Sequence, residues 1–384
     1  MKRSLLCCCL LLALAACAPA QGHAVSNPVA APNQAATATV LPAASATPLP
    51  AASPTAIAEV PQINPLTGLP AEAQWLNRRP ILVKVENLPR NNRPQWGLSF
   101  ADHVYEYYTE EGTTRFAAVY YGQNAEKVAP IRSARFFDIQ LIQMYKAVFI
   151  FGNAYEDLLN ELFSRSFADR LLVEQPGSCP YLCRTEVNYE NILMANTATL
   201  GEYLQQLGID NSLQDLHGLA FQDDLPAGGQ EVSQIFVRFS GAIYNRWDYD
   251  AASGRYLRYS DAENDLDWDN EVYEQLTDRL TGEPIAADNL VILLAEYVPL
   301  VKTEESEVND VNLTGGGLAY VARQGQFYPA RWQHTTATDM ITLVDEDGAP
   351  FPLKPGQTWF EVMGKGTRSK QEDSGAWRFV FWMP

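Results

Sequence analysis

Histidine, cysteine and positive charge are all in short supply in this 384-residue chain, and each shortage removes a class of activity. The four histidines, His23, His103, His217 and His334, are scattered. That argues against a His-dependent catalytic triad or a zinc hydrolase, which need partners at set spacing. Long apolar runs are missing as well. Beyond the first sixteen residues the longest, near Val148–Phe151 and Leu290–Ala295, have strand length, well under the roughly 20 residues of a membrane-crossing helix. Acidic residues outnumber Lys and Arg by 46 to 28. Setting aside residues 1–60, which hold Lys2, Arg3 and Glu59, leaves 26 basic and 45 acidic residues, a formal charge of −19. Such a body is expected to avoid nucleic acid and anionic lipid surfaces. No Gly-rich phosphate loop, His-Glu-x-x-His or Gly-x-Ser-x-Gly elbow is present, so no cofactor and no metal is expected. Gly315-Gly316-Gly317 precedes a strand rather than a helix and reads as a bulge. Asp265-Leu266-Asp267-Trp268-Asp269 starts like a calcium loop, yet Asn270 and Leu276 stand where its glycine and glutamate belong.

What is present begins with an export signal. Met1-Lys2-Arg3-Ser4 is followed by an apolar run from Leu5 to Ala16, the charged start and hydrophobic middle of a secretory leader. Leu14-Ala15-Ala16-Cys17 matches the lipobox pattern of an aliphatic residue, two small residues and a cysteine. Residues 1–17 are therefore expected to direct export and lipidation at Cys17, with acyl chains holding the protein to a bacterial membrane on its extracytoplasmic side. Cys7, Cys8 and Cys9 fall in the removed segment. Residues 18–60 are almost wholly Ala, Pro, Thr, Ser, Asn and Val, a composition that cannot offset the entropy of ordering and reads as a disordered tether. Cys179-Pro180-Tyr181-Leu182-Cys183 then favours a small-loop disulfide in an oxidising compartment, with free thiols or half a metal site as alternatives.

The rest divides by pattern into an α+β arrangement. Residues 61–225 mix strands and helices. Pro80–Asn87, His103–Tyr108 and Arg115–Tyr121 alternate as strands, the last two joined through Glu110–Thr114. Phe137, Leu141, Met144 and Val148 are spaced for a helix over 136–147, followed by a buried strand at 148–151. Further helices are expected at Tyr155–Phe163 and, started by a Thr cap, Thr199–Leu207. Asp223–Gln230 is rich in breakers and marks a domain boundary. Residues 230–363 are mostly β, with hairpins at Ala242–Tyr249/Arg255–Tyr259, Leu318–Ala322/Phe327–Trp332 and Met340–Val344/Phe351–Leu353. Residues 364–384 read as a C-terminal tail.

The densest polar chemistry lies between Glu106 and Arg135. Ser133 is placed to cap the helix near Phe136, and Arg132 and Arg135 are placed beside its N-terminus. With Thr114 and Arg115 these residues form a candidate receptor for an anionic group on a cell-wall polymer, a peptide or an envelope protein, because guanidinium forks bind oxyanions bidentately. Structural pairing of the arginines with Glu106 and Glu111 is the competing account. Glu106 and Glu111 also offer an alternative as paired acids of a glycan or peptidoglycan hydrolase. The lack of any reaction signature favours a binding module over an enzyme. The 8 Trp and 18 Tyr residues suit stacking on sugar rings, although aromatics of β-rich domains more often fill cores.

Several stretches together resemble the YerB-like lipoproteins, a family described by N-terminal and C-terminal domains of unknown function (DUF3048). They are Asn64–Pro70, Arg79–Asn87, Arg93–Leu98, Ala101–Glu106, Glu111–Phe116, Pro130–Arg135 and Pro355–Trp359, with Arg132-Ser133-Ala134-Arg135 the most specific. The resemblance implies a lipoprotein address and two domains, and no reaction. The chain has Glu190-Asn191 where the family carries a His-Asn pair, so no role of that histidine transfers.

Overall fold

Alternating apolar and polar residues dominate the folded part of the chain, and strands are the result. The computed structural model describes residues 62–383, apart from Tyr189, Asp269, Asp373 and Ser374. The expected signal segment, Cys17 and the tether lie outside them. The described residues fall in one compact unit, mostly strands with few helices. The helices belong to the first half: Phe136–Tyr145, Glu156–Ser164, Leu200–Leu207 and a single turn at Ala73–Leu76. None is long and apolar enough to cross a membrane.

A twelve-stranded sheet forms the centre. From the first half it takes His103–Tyr108, Thr114–Tyr120, Ile81–Glu86, Val148–Ile150 and Leu171–Leu172, in that spatial order. Thr358–Gly364 lies parallel to His103–Tyr108 on one side and to Asn289–Lys302 on the other. Gly315–Arg323 and Gln326–His334 extend the sheet as a hairpin. Strands from both sides of Asp223–Gln230 thus hydrogen-bond in one sheet. A seven-stranded sheet built from Gln234–Arg238, Tyr244–Asp250, Arg255–Asp261 and neighbours covers one face. Trp247 meets Trp359 edge-on at 5.1 Å between the sheets. The opposite face carries the Phe136–Tyr145 helix, whose Phe137 and Tyr145 pack on Tyr105.

Strand alternation sorts the side chains between these two faces. His103, Tyr105 and Tyr107 point to the helix side, and Glu106 points to the second sheet. His103 is fully buried between the Tyr145 hydroxyl at 2.6 Å and the Leu66 carbonyl at 2.7 Å. Desolvation lowers its pKa from 6.5 to about 4, so it is a neutral core residue.

Several expectations need correction. Residues 368–380 are not a tail: Arg368–Glu372 and Ala376–Val380 form a hairpin, and the latter pairs parallel with Gln234–Arg238. The Ala-Trp-Arg-Phe-Val alternation there is a strand signal, with Phe379 buried. The Met340–Val344/Phe351–Leu353 hairpin reduces to one bridge, Val344 with Pro350. Thr342–Val344 instead pairs with Gln326–His334, and Pro352–Leu353 with Ala220–Phe221. Gly315–Gly317 is no bulge, since its register with His334–Trp332 is continuous. Asn196, not Thr199, receives the first N–H groups of the Leu200–Leu207 helix, those of Ala198 at 2.9 Å and Thr199 at 3.3 Å. Cys179 and Cys183 are joined by a disulfide.

Candidate functional site

The family-like motifs converge on two places, one closed and one open. The open place is a cleft of about 680 Å³. Its first wall is the turn at Glu110–Gly112, where Glu111 and Gly112 both take positive φ, 49° and 76°; glycine makes the second of these inexpensive. Its floor is Ser133–Arg135, strapped to the neighbouring chain by Gly152 N–H to the Arg132 carbonyl at 2.9 Å and Ala134 N–H to the Asn153 carbonyl at 2.7 Å. Tyr155 and Asp157, at the start of the Glu156–Ser164 helix, form another wall. The last wall is the arm made by the far ends of Asn289–Lys302 and Glu307–Asn312. Glu307 ties this arm to the turn, accepting from the Tyr108 hydroxyl at 2.8 Å and the Glu111 N–H at 2.7 Å.

Within the cleft, Glu110 organises the charges. Arg135 donates to Glu110 through Nε at 2.5 Å and through Nη2, and Arg115 donates through Nη2 at 3.1 Å. The same two side chains also donate to backbone: Arg115 to the Ser133 carbonyl and Arg135 to that of Ala134, both at 2.7 Å. Burial alone would raise the Glu110 pKa, but the hydrogen bond and charge of Arg135 and the charge of Arg115 outweigh it and hold the carboxyl below its ordinary value. Burial, helped by the neighbouring Arg135 charge, lowers Arg115 to about 10. Beneath lies the fully buried Lys84, 3.1 Å from Asp138 and lowered to about 7 by desolvation.

Sequence reasoning placed some of these residues and misplaced others. Arg115, Ser133 and Arg135 do come together. Arg132 does not join them: it pairs with the buried Glu86, which also accepts from Asn92 Nδ2 at 2.9 Å. Ser133 does not cap the helix. Asp138 reaches back instead, accepting the Arg135 N–H at 2.7 Å. Thr114 faces the opposite side of its strand from Arg115 and donates to Glu106 at 2.7 Å.

Glu106 and Glu111 are not brought together. Glu111 is exposed at the turn, whereas Glu106 is sealed between the sheets. There Arg258 Nη2 donates to Glu106 at 2.6 Å, Arg258 Nη1 to Glu361 at 3.2 Å, and Trp247 Nε1 to Glu361 at 2.9 Å. Asn87 and Asn245 add donors to Glu106 at 3.0 and 3.3 Å. Arg93 links this closed network to Asp261 while holding the Asn87 side chain at 2.8 Å. The partners that sequence reasoning missed, Glu307, Asp157, Arg258 and Glu361, sit in ordinary strand and loop contexts far from the motifs. Glu110 was adjacent to them and readable.

With this geometry in place, comparison with known proteins is direct. Residues 66–210 match the N-terminal domain, and residues 235–360 the C-terminal domain, of the proteins of unknown function DUF3048. "Putative lipoprotein YerB" of Bacillus subtilis (strain 168) is 27% identical over 312 residues, covering 78% of this chain and 85% of that protein. The crystal structure of YerB from Bacillus subtilis superposes with a TM-score of 0.65 at 26% identity, over 79% of this chain and 96% of that one. The motifs around Glu86, Glu106 and Arg135 are thus held in a fold shared with that protein, and the chain belongs to the DUF3048 family.

Proposed function

We propose that this protein is a lipid-anchored, extracytoplasmic binding module. Its address rests on the lipobox ending at Cys17 and on the lipoprotein name of its relative. Its recognition site is the cleft between the Glu110–Gly112 turn, Ser133–Arg135 and the arm. The observation that carries this reading is that Glu110 already fills the guanidinium groups of Arg115 and Arg135. An anionic ligand would have to displace a carboxylate at high effective concentration. Meanwhile Glu111, Asp157, Glu305 and Glu307 also line the cleft, and Arg135 is its one cationic lining residue among those described. Tyr155, Val301 and Val308 add an apolar surface.

The cleft therefore favours a positively charged group on a short apolar stem, as on a lysine-bearing peptide of the cell wall or a partner protein. The test is titration of the detergent-solubilised full chain with a lysine-containing peptide and its Nε-acetylated form. Asp157→Asn with Glu305→Gln, both at exposed positions, should weaken binding of the unmodified peptide about tenfold and leave the acetylated one unaffected. Equal affinity for both peptides, or tighter binding of an acidic control peptide, rejects the reading.

A further inference from the structure

We infer that the outer face of the seven-stranded sheet carries a second binding site, for an uncharged saccharide chain. The site is a hollow of about 470 Å³ lined by Phe236, Trp268 and Tyr273 together with Arg238, Glu271 and Arg378. It lies on a different sheet from the cleft proposed above, and neither depends on the other.

Three features point to a sugar. The first is a ring surface turned to solvent. Trp268 is 59% exposed, and its neighbour Leu266 is 73% exposed. Trp268 adopts φ of +68°, a conformation that a bulky residue takes only at a cost and that is concentrated at functional sites. Phe236 and Tyr273 continue the surface, ring centroids 6.1 Å apart. A pyranose presents flat C–H faces that stack on rings of this kind, using their electron-rich faces.

The second feature is a rigid backing. The Arg238 guanidinium lies 4.1 Å from the Trp268 ring centroid and that of Arg378 lies 4.5 Å from Phe236. Phe236 and Arg378 are register partners on adjacent strands, so the stack is fixed by the sheet. Arg238, only 2% exposed, is held by Asp265 at 2.6 Å and Glu271 at 2.9 Å, and its Nε is buried with no hydrogen-bond partner among the described residues. Rings immobilised in advance lose little entropy when a ligand arrives.

The third is charge balance. Glu271 accepts from Arg378 at 2.7 Å and from the Tyr273 hydroxyl at 2.5 Å, and Arg378 also bonds Glu372 at 3.1 Å. Both guanidinium groups are thus committed to carboxylates, which leaves no free cation for a phosphate or an acidic peptide. What remains is a set of planar polar edges around aromatic faces, suited to hydroxyl groups.

Affinity electrophoresis of the full chain through gels containing hydroxyethylcellulose, together with titration by cellohexaose and by the hexamer of N-acetylglucosamine, tests the site. Retardation, or binding of at least one hexasaccharide, is expected. Trp268→Ala should reduce it at least about tenfold, with an unchanged melting temperature because the side chain is exposed. The cleft variant carrying Asp157→Asn and Glu305→Gln should bind saccharide as the unaltered chain does. Failure of the unaltered chain to bind all three saccharides overturns the inference, as does undiminished binding by the Trp268→Ala chain.

Discussion

Glu361 and Glu106 are register partners on neighbouring parallel strands, and a single buried guanidinium, that of Arg258, bridges their carboxyl groups. Two carboxylates and one cation in a closed space cannot all be charged cheaply. Burial, and then the charge of Glu106, push the Glu361 carboxyl well above the usual range, so it keeps its proton while Glu106 pairs with Arg258. Trp247, Asn87 and Asn245 complete the network. It joins residues from both matched domains, which explains why motif residues such as Glu106, Asn87 and Thr114 sit where no ligand reaches them.

This asymmetry sets an order of tolerance. Arg258→Met removes the cation and leaves Glu106 buried with only neutral donors, which should cost about 3–5 kcal/mol. Glu361→Gln keeps an acceptor for Trp247 and should cost about 1 kcal/mol or less at neutral pH. The pH dependence follows the sign of the shift. A carboxyl whose folded pKa is raised above its model value of 4.5 adds stability that is complete below that value and fades as pH rises through the folded one. Glu361→Gln should remove that decline. Urea midpoints across this range measure both effects; equal losses from the two substitutions would contradict the assigned proton.

His103 acts in the opposite direction at acid pH. Its pKa falls from 6.5 to about 4 on folding, so between those values the unfolded chain binds a proton that the folded chain refuses. Stability should therefore drop as pH falls from 6.5 toward 4, by about 3 kcal/mol in all. His103→Gln should cost stability at pH 7, through the lost bonds to Tyr145 and Leu66, yet flatten this slope. A slope that persists in the variant assigns the acid sensitivity to another group.

Glu110 tests whether the cleft's arginines are primarily paired or primarily free. Glu110→Gln leaves Arg115 and Arg135, each with 18% side-chain exposure, without their neutralising partner. A loss of about 1–3 kcal/mol is expected, eased by added chloride or sulfate that takes the vacated place. Unchanged stability at low salt would mean that the carboxylate contributes little to holding the floor of the cleft.

How far the sequence revealed this arrangement depends on the range of each interaction. The His103–Tyr108 and Thr114–Tyr120 hairpin was readable because alternation and a glycine turn are local. The helix after Arg135 was readable from three-and-four spacing, although its capping residue was not, since Ser133 and Asp138 are equally plausible by distance along the chain. The Glu106–Glu361 pair left no trace: parallel neighbours need no connecting turn, and Arg258 on an alternating strand looks like any solvent-facing arginine. The cleft was half visible. Arg115, Ser133 and Arg135 were singled out, but their partner Glu110 was passed over for Glu106 and Glu111, because strand phase, not proximity, decides which acid faces which side.

Gly317 offers the most local test. The Trp332 indole N–H reaches across it to the Leu294 carbonyl at 3.0 Å. A Cβ on Gly317 would lie 2.5 Å from Trp332 Nε1 and 2.7 Å from that carbonyl oxygen, closer than real contacts permit. Gly317→Ala must therefore push the buried indole off its acceptor, and the expected loss is about 1–3 kcal/mol. Gly282, also in the mostly β half, has nothing within 4 Å of its Cβ position but a φ of +78°. Gly282→Ala should consequently show conformational strain alone, about 1 kcal/mol. Melting temperatures of the two variants, with tryptophan emission to report on Trp332, separate steric exclusion from backbone strain. If Gly317→Ala melts no lower than Gly282→Ala and its emission is unchanged, close approach is not the reason for glycine at position 317.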